Sequence, residues 1–503
     1  MSWALAVVSL AASGVTALRW LRVGQREHYL PGVTHFARLW WTVDTRNTAL
    51  LIGVVGLATV SSVVPILVVL AAIISVVAPL GLGVRGRTAP LAWTDRLRRL
   101  AATVAVLLAL ATAAAAAAGL DPVLALLPLL VPVVVDMALV LVRPLERRLS
   151  EKWVRSAAES LRRIDPTVVA ITGSYGKTTT KNLVAHLLAP HRAVVASPAS
   201  FNNRLGLARA INEHLVPGSE VFVAEMGTYG AGEIAELCTW IPPDIAVITA
   251  LGPVHLERMG SVENIARAKR EILHDASQAV LSIDHPLLED IAREEAGHRT
   301  VITVSGTGRL DADVVADTTG TVRVGERQVG HFDVTAAHPV NVAAAVAVCL
   351  AAGLDIDAIV PGLAALPSVP HRRTVGRSDR GFDIVDDTFN ANPAGATAAL
   401  DVLMQLGTPD GRKVVVTPGM VELGSQQEEA NRAFAEEAGR RGVTHLIVVN
   451  RTNRRALETG ARAGGVGSVI LSDTREEAVS WVRENLASGD AVLYENDLPD
   501  HYP

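Results

Sequence analysis

The sequence predicts a helical membrane part followed by two α/β domains, and three observations support this order. Apolar runs long enough to cross a lipid bilayer crowd the segment before Arg143. From about Thr167, apolar runs of strand length alternate with helical stretches, which is the pattern of a doubly wound parallel sheet. After a proline-rich stretch that ends at Pro370, a second alternation of the same kind begins.

Length and composition agree with several structural units. A chain of 503 residues exceeds what one hydrophobic core usually organises, and half of its residues are apolar. We expect a membrane part over residues 1–150, a central domain over 151–370 and a C-terminal domain over 371–503. The net charge of −5 creates no basic field, so nucleic acid is not expected as a partner. Cys238 and Cys349 are too few for a disulfide framework, which favours a cytosolic location for the α/β part.

The membrane part contains four apolar blocks. A spanning helix needs about 20 apolar residues, and the second block is nearly twice as long, with Ser61, Ser62 and Pro65 at its centre. We interpret that block as a hairpin of two short spans, which predicts five crossings in total. The four blocks are residues 3–18, 48–84, 100–120 and 123–142.

Basic residues predict the orientation, because loops rich in Lys and Arg stay in the cytoplasm. Five crossings place three basic clusters on one side, with the N-terminus outside and the α/β part inside. We therefore expect a multi-pass protein of the cytoplasmic membrane with its α/β domains in the cytoplasm. The clusters are Arg19, Arg22, Arg26 and Arg38; Arg85, Arg87, Arg96, Arg98 and Arg99; and Arg143, Arg147, Arg148 and Lys152.

Three polar or aromatic features stand out in this part. The first apolar block lacks a basic leader and a small-residue cleavage site, so we do not interpret it as a cleaved signal peptide. Trp40 and Trp41 suit a segment at the level of the lipid headgroups. Asp136, an acid within the last span, is either a functional group or a residue held against another helix, and we favour the second interpretation.

Strands are predicted at ten places in the α/β part, with short antiparallel strands appended over residues 314–334. An Ala-rich helix is expected over residues 340–352, ending at Gly353. The predicted strands are residues 168–172, 194–196, 221–224, 245–249 and 279–283 in the first sheet, and residues 382–385, 413–417, 445–449, 468–471 and 491–494 in the second.

A turn that holds phosphate is predicted directly after the first strand. Its sequence, Thr-Gly-Ser-Tyr-Gly-Lys-Thr-Thr-Thr over residues 172–180, places the first glycine four residues before Lys177 instead of the usual six. The physical parts are nevertheless present. Backbone N–H groups and a helix N-terminus face an anion, Lys177 supplies positive charge, and Thr178 offers a hydroxyl to Mg²⁺.

Two more polar side chains follow later strands of the first sheet. Glu225 comes directly after residues 221–224, and His255 follows residues 245–249 through a Gly-Pro turn. Ligands in open α/β sheets gather at the carboxyl edge of the strands, so both residues are expected in the crevice that holds Lys177. An isolated acid or histidine in a loop is more often solvated or capping, but the shared edge favours a metal site here.

Lys269 lies on the wrong face of its helix for an ordinary lysine. The apolar stripe of residues 262–273 consists of Val262, Ile265, Ala266, Ile272 and Leu273, and position 269 falls within that stripe. Either the side chain extends to the surface, or its charge is removed, for example by conversion to a carbamate that a cation holds.

Charged residues also lie near the carboxyl edge of the second predicted sheet. Asp386 and Asp387 end a strand there, and the two acids either form a turn or contact a ligand. Arg372, just after the domain boundary, is either a linker charge or a phosphate donor aimed across the cleft.

Together these motifs resemble the Mur ligase family of ATP-dependent, amide-forming enzymes, and within it the MurF branch, which adds D-alanyl-D-alanine. The resemblance runs from about residue 165 to the end of the sequence. The matching stretches are residues 172–180, Asn-Asn-Arg-Leu-Gly at 202–206, Ala-Glu-Met-Gly at 224–227, Gly-Pro-Val-His-Leu-Glu at 252–257, Ala-Lys-Arg-Glu-Ile at 268–272, Asp-Asp-Thr-Phe-Asn-Ala-Asn-Pro at 386–393 and Gly-Met-Val-Glu-Leu-Gly at 419–424.

The resemblance implies a central P-loop ATPase domain, a C-terminal Rossmann-like domain and a role for each matching residue. ATP and Mg²⁺ are the implied cofactors. Lys177 and Lys269, the latter as a carbamate, are the implied catalytic residues, together with His255. The implied nucleotide-binding residues are Gly173, Ser174, Gly176, Lys177, Thr178, Thr179, Asn341, Arg372 and Asp387, and the implied metal-site residues are Thr178, Glu225, His255 and Lys269.

The sequence departs from the family pattern most clearly at its start, where apolar helices occupy the place of the domain that binds the UDP-linked precursor. The expected function is therefore that of a carboxylate-amine ligase anchored in a bacterial-type cytoplasmic membrane, with its catalytic domains in the cytoplasm. Its substrate is an amino acid or a peptide, which is either lipid-linked or soluble. The ligase acts alone or in a membrane complex. A cell-wall peptide precursor is the favoured substrate. A poly-γ-glutamate-type synthetase and a non-catalytic nucleotide-binding scaffold remain alternatives; a transporter ATPase is disfavoured, since no Walker B strand is evident.

Overall fold

A computed structural model describes residues 2–85, 90–198, 201–334, 337–367, 374–388 and 392–503. The chain forms two compact units. The helical unit comprises Met1–Leu149, Asn450–Arg454 and Asp497–Pro503, and the α/β unit comprises Ser150–Val449 and Arg455–Asn496.

Among the described residues, six helices contribute to the helical unit, and the last of them, α6, continues past Leu149 into the α/β unit. Three of them, α1, α5 and α6, are long and apolar enough to cross a membrane, and a fourth span results if α2 and α3, bent by 108°, count as one. The predicted hairpin exists as α3 and α4, but α4 has 11 residues, about 17 Å of helix, so five full crossings are not confirmed. The helices are α1 (Ser2–Arg26), α2 (Val33–Thr42), α3 (Thr45–Val60), α4 (Leu67–Val77), α5 (Asp95–Ala117) and α6 (Asp121–Ile164).

Small residues hold these helices together. Ala58, Ala71 and Ala115 are buried where α3, α4 and α5 contribute to one core cluster, and small side chains allow helix backbones to approach closely. The cluster also buries large apolar side chains, such as Val54 and Leu124. Other large apolar side chains point outward, including Val7, Ile52 and Val63, which are 68%, 65% and 81% exposed. The exposed large apolar side chains give this unit the surface expected of a lipid-facing bundle.

Asp136 caps a neighbouring helix. Its carboxylate accepts hydrogen bonds from the backbone N–H groups of Gly32, Val33 and Thr34, at 2.8, 2.9 and 3.0 Å, and from the Thr34 hydroxyl at 2.7 Å. These N–H groups belong to the first turn of α2, which has no carbonyl partners of its own. The acid therefore satisfies a helix end inside the bundle, in agreement with the interpretation favoured from the sequence.

Replacing Asp136 with alanine is expected to lower the free energy of unfolding by about 1–2 kcal/mol, because the start of α2 loses its acceptors. Asp136→Asn, which keeps one acceptor oxygen, is expected to lose less. Thermal unfolding of the detergent-solubilised chain measures both effects. Nucleotide turnover is expected to stay unchanged in both variants, and a selective loss of turnover with intact stability would show that the acid has a functional role.

The first sheet of the α/β unit has nine strands in the order β2-β3-β1-β4-β5-β6-β7-β8-β9. Pairing is parallel from β2 through β7, and β7, β8 and β9 form an antiparallel extension. The five predicted strands and the appended ones are present, but β6 was not predicted. The strands are β1 (Thr167–Thr172), β2 (Val194–Ala196), β3 (Val221–Glu225), β4 (Ile245–Ile248), β5 (Gln278–Ser282), β6 (Thr300–Ser305), β7 (Val314–Ala316), β8 (Thr321–Val324) and β9 (Arg327–His331).

Helices cover both faces of this sheet. The Ala-rich helix α13 is buried along most of its length, which explains its lack of a polar face, and Gly353 follows it with φ of +84°. The helices are α7 (Lys177–Leu188), α8 (Arg204–His214), α9 (Glu233–Cys238), α10 (Leu256–Met259), α11 (Val262–Arg270), α12 (Pro286–Glu295), α13 (Pro339–Ala351) and α14 (Ile356–Leu363).

The second sheet has six strands in the order β10-β11-β15-β12-β13-β14, and only β10 among them runs antiparallel to its neighbour. The five predicted strands are present and β10 is additional. The strands are β10 (Thr374–Arg377), β11 (Asp383–Asp387), β12 (Lys413–Thr417), β13 (His445–Val449), β14 (Ser468–Ser472) and β15 (Ala491–Glu495); the helices are α15 (Pro393–Gln405), α16 (Gln427–Arg440), α17 (Arg454–Gly464) and α18 (Arg475–Asn485).

Candidate active site

The turn between β1 and α7 contains two glycines that other residues could not replace. Gly176 has φ of +80° and directly precedes α7, so Lys177, Thr178 and Thr179 supply the first backbone N–H groups of that helix. A Cβ on Gly176 would lie 2.1 Å from Oδ1 of Asn341, and one on Gly173 would lie 2.0 Å from Oγ1 of Thr249. A side chain at either glycine would collide with a neighbouring side chain, so the close packing of this turn requires glycine at both positions.

Ser174 ties this turn to the loop after β4. Its N–H donates to the carbonyl of Ala250 at 2.8 Å, and its hydroxyl exchanges hydrogen bonds with the backbone of Gly252 at 3.1 Å. The Ser174 side chain is therefore engaged in shaping the turn. Lys177, at the tip, extends its Nζ to within 2.7 Å of the Gly173 carbonyl, so its ammonium group lies over the turn.

Glu225, at the carboxyl edge of β3, accepts hydrogen bonds from three side chains. Its Oε2 accepts from Oγ1 of Thr178 at 2.9 Å and from Nζ of Lys181 at 3.2 Å, and its Oε1 accepts from Asn202 at 3.3 Å. Both Glu225 and Lys181 are almost fully buried, at 2% exposure of each side chain. The predicted pair of Thr178 and Glu225 is thus in contact, and Lys181 is a participant that the sequence did not reveal.

His255 takes part in a different contact. It adopts φ of +52° before α10, its Nδ1 is hydrogen-bonded to the Glu422 carboxylate, and its ring packs at 4.7 Å from the ring of Tyr229. The N–H of Leu256 also donates to the Glu422 carbonyl at 2.9 Å. Glu422 belongs to the Gly-Met-Val-Glu-Leu-Gly segment after β12, so a strand end of the second sheet reaches the histidine of the first.

Lys269 is buried on α11, at 3% exposure, as its place in the apolar stripe predicts. Burial lowers the pKa of its amine well below the usual value, and the positive charge of Lys177 lowers it further. A neutral amine is the form that reacts with CO₂. The resulting carbamate would be an anion beside the Lys177 ammonium group, which turns an unfavourable pair of cations into a favourable pair of opposite charges.

The edge of the second sheet carries a buried acid that the sequence did not single out. Glu495 ends β15 opposite Asp387 at the end of β11, and the Thr417 hydroxyl donates to Oε2 of Glu495. Burial raises the pKa of Glu495 to about 8, and the charge of Asp387 adds to that shift. Asp387 therefore lies beside a carboxyl group that is neutral at neutral pH. Arg372 lies outside the described residues.

The free energy of unfolding is expected to fall as pH rises from about 4.5 toward about 8. The Glu495 carboxyl group has a usual pKa of 4.5 and a folded-state pKa of about 8, so its stabilising contribution is complete below the first value and is lost as pH rises through the second. Thermal unfolding of the wild type and of Glu495→Gln at pH 5, 7 and 9 measures the difference. A wild type and variant with parallel pH profiles would contradict this assignment.

The donor set at Thr178 and Glu225 fits Mg²⁺. Among the described residues no group of three His, Cys, Asp or Glu side chains converges on one point. Mg²⁺ does not need such a cage, because it usually takes one or two carboxylates, substrate phosphates and several waters. One hydroxyl and one carboxylate beside a phosphate-binding turn meet that requirement, and Glu225 also holds the Lys181 ammonium group. Because Glu422 engages the Nδ1 of His255, Nε2 is the ring nitrogen that can bind a metal.

Two segments of the chain match models of known protein domains. Residues 171–351 match the Mur ligase middle domain, and residues 371–494 match the Mur ligase, glutamate ligase domain. UDP-N-acetylmuramoyl-tripeptide--D-alanyl-D-alanine ligase of Mycobacterium tuberculosis is 32% identical over 357 residues, which cover 65% of this chain and 67% of that protein. The Bacillus subtilis protein of the same name is 27% identical over 66% of this chain and 74% of its own length.

Solved structures agree with these matches. MurF ligase of Thermotoga maritima in complex with ADP superposes with a TM-score of 0.55 and 29% identity, over 69% of this chain and 80% of that one. MurF of Acinetobacter baumannii superposes with a TM-score of 0.59 and 24% identity, over 69% of this chain and 77% of that one. The second likeness supports the fold alone.

Proposed function

The chain belongs to the Mur ligase family, and from that premise we propose that it is a membrane-anchored ligase that joins a carboxylate to an amine through an acyl phosphate. Members of this family are peptide-forming ligases that use ATP and Mg²⁺. The observation that carries the proposal is the contact of Thr178 with Glu225 directly beside the glycine turn and Lys177. We also propose domain borders near residues 150 and 370.

The proposed reaction has two steps. A carboxylate oxygen of the acceptor attacks the γ-phosphorus of ATP, the bond from that phosphorus to the bridging oxygen breaks, and ADP leaves. The amine nitrogen then attacks the carbonyl carbon of the acyl phosphate, loses a proton, and expels inorganic phosphate as the amide forms. Little covalent chemistry falls to the protein in such transfers, so its task is to position the reactants and stabilise charge.

The phosphate-binding side of the site uses backbone and side-chain donors. Gly173, Gly176 and Thr179 contribute the turn and the first helical N–H groups, and Lys177 supplies positive charge to the phosphates. The backbone position of Ser174 completes the turn. Thr178 and Glu225 would hold Mg²⁺, which when bound neutralises phosphate charge.

We propose roles around this core for the remaining predicted residues. Asn341 lies against Gly176, so its amide is near the turn, where we propose that it contacts the nucleotide. We propose that His255, oriented by Glu422, and Lys269, as a carbamate, complete the metal side of the site. From the C-terminal domain, we propose that Arg372 reaches the phosphates and that Asp387 contacts the nucleotide.

Membrane anchorage rests on three features of the helical unit. Three helices are long and apolar enough to span, large apolar side chains cover the outer surface, and basic residues flank the helices. If α3 and α4 form a hairpin that enters and leaves on one side, α1, α5 and α6 give three crossings. With three crossings, as with five, the N-terminus and the chain after α6 lie on opposite sides of the membrane. The three basic clusters and the α/β unit then still share the cytoplasmic side.

A cell-wall peptide precursor is the substrate class we propose for the carboxylate, and a D-alanyl-D-alanine-like dipeptide for the amine. The names of the relatives at 32% and 27% identity support this choice. About a third of the M. tuberculosis relative lies outside the match, so recognition of the acceptor is the least constrained part of the proposal. The membrane anchor favours a lipid-linked acceptor.

Depletion of the protein followed by mass spectrometry of lipid-linked and soluble cell-wall intermediates tests the substrate class. Accumulation of a peptide precursor with a free carboxylate is the expected result. Separately, the chain should remain in the membrane pellet after an alkaline wash that strips peripheral proteins. Release into the supernatant would overturn anchorage, and unchanged precursor pools would overturn the substrate class.

A further inference from the structure

The helical unit contains a cavity of about 80 Å³ whose walls come from three places in the chain. The loop between α1 and α2 contributes Tyr29, the start of α5 contributes Arg96 and Leu100, and the middle of α6 contributes Leu139 and Arg143. None of the nucleotide-site residues that the structure describes lines it. The cavity is therefore a feature separate from the ligase chemistry.

The walls change from charged to apolar at the same level on two helices. Along α5, Arg96 precedes the apolar run that begins at Leu100, and along α6 the apolar run ends at Val142, directly before Arg143. Such a change marks the boundary between the hydrocarbon core and the headgroups of a bilayer. The cavity thus has an apolar half that faces lipid tails and a charged half at headgroup depth.

The charged half has an excess of positive charge. Arg99 binds the Glu146 carboxylate with two hydrogen bonds, at 2.6 and 2.8 Å, so the one acid of the cavity wall is already neutralised. The Arg96 guanidinium lies 4.1 Å from the centre of the Tyr29 ring. Among the residues that the structure describes, neither Arg96 nor Arg143 forms an ion pair within 4 Å, although the Glu146 charge also acts on Arg96. Three arginines near one acid leave a net positive charge at the cavity.

The start of α5 adds to this field. Thr94 caps the helix, its hydroxyl accepting from the N–H of Leu97, and the positive end of a 23-residue helix lies beside the cavity. Guanidinium groups match the oxygens of phosphate in geometry and charge. Two arginines and a helix N-terminus at one cavity wall therefore suit a phosphate group.

We propose that this cavity binds the phosphate of an anionic phospholipid, with an acyl chain along Leu100, Leu139 and Val142. The proposal rests on the membrane anchorage proposed above. Charge complementarity selects an anionic lipid, because two arginines and a helix N-terminus repel the extra cation of a zwitterionic headgroup. Basic pockets between membrane helices on the cytoplasmic side are known sites for anionic lipid headgroups.

Native mass spectrometry of the detergent-solubilised full chain tests the proposal, with phosphatidylglycerol and phosphatidylcholine as probes. The wild type is expected to retain phosphatidylglycerol preferentially. The double variant Arg96→Gln/Arg143→Gln is expected to bind it roughly 10- to 30-fold more weakly. The matched control Arg98→Gln/Arg148→Gln removes the same charge from the same two helices, outside the cavity, and is expected to bind as the wild type does.

Equal weakening in both double variants would overturn the proposal, since it would indicate a diffuse surface attraction. Tighter binding of a polyprenyl diphosphate than of phosphatidylglycerol would also overturn it, in favour of a substrate subsite. Should the double variant fail to fold, photo-crosslinking of the wild type with a diazirine phosphatidylglycerol decides the question: labels must fall on residues 96–100 or 139–143. An alkaline wash checks membrane anchorage independently, so a chain that stays inserted but shows no lipid preference overturns this proposal alone.

Discussion

Lys177→Ala is expected to lower kcat by about 100- to 1000-fold, because loss of one preorganised charge contact to the transferring group typically costs that much. The Lys177 ammonium group lies at the tip of the turn, bonded to the carbonyl of Gly173. Its removal leaves the turn itself intact, since Gly176, Ser174 and Thr249 hold the backbone. The thermal midpoint should therefore change little while turnover collapses. ADP release by the purified chain measures turnover, and circular dichroism measures unfolding.

Lys152→Ala is the matched control, since it removes a lysine from α6 outside the glycine turn. It is expected to turn over ATP as the wild type does. A Lys177→Ala variant with near wild-type ADP release would remove the basis for a phosphate site at this turn. A variant that loses activity only because it unfolds would show up as a lowered thermal midpoint.

Lys269→Met is the second substitution with a large expected effect, a fall in turnover of about 100-fold or more. The physical reason is loss of the proposed carbamate, which would hold a cation beside Lys177. Methionine matches the shape of the buried chain without its amine, so the free energy of unfolding is expected to be unchanged or higher. An activity loss in a protein of undiminished stability therefore separates chemistry from folding.

Carbamate formation has its own signature. Wild-type protein equilibrated with ¹³C-bicarbonate should show a carbamate carbon signal that Lys269→Met lacks, and removal of dissolved CO₂ should lower wild-type turnover. Arg267→Met, an exposed position on the same helix, should retain both signal and turnover. Wild-type protein without a carbamate signal, and with turnover independent of CO₂, would refute this role for Lys269.

Periodicity predicted the parts of the fold that depend on buried stripes. Ten strands of the two sheets were found from their apolar runs, and Lys269 was singled out because its helix buries that face. The strands β6 and β10 were missed because neither presents a continuous apolar run: Thr300–Ser305 alternates with threonine and serine, and Thr374–Arg377 is short and mostly exposed. Their place in the sheet comes from pairing with neighbours.

Contacts between distant segments explain the other differences. His255 was expected in the same crevice as Glu225, which stays a prediction; its contact with Glu422, 167 residues away in sequence, was not predicted. Lys181 could not be recognised from the sequence, because a lysine one turn into a helix is common. Only its buried contact with Glu225 of the neighbouring strand distinguishes it. The hairpin of α3 and α4 was recognised, but its second arm ends at Val77, just before Ala78 and Pro79, where a residue preceding proline disfavours the helix.

The fate of the acceptor's carboxylate oxygen tests the central claim most directly. The chain, reconstituted in lipid nanodiscs, would receive ATP, the amine and the accumulated precursor labelled with ¹⁸O in its free carboxylate. The account predicts that each released inorganic phosphate carries one ¹⁸O atom. The amounts of phosphate, ADP and amide formed should be equal, and without the amine no net phosphate should be released. Unlabelled phosphate released at the same rate with or without the amine would contradict it, and would leave a nucleotide hydrolase in place of a ligase.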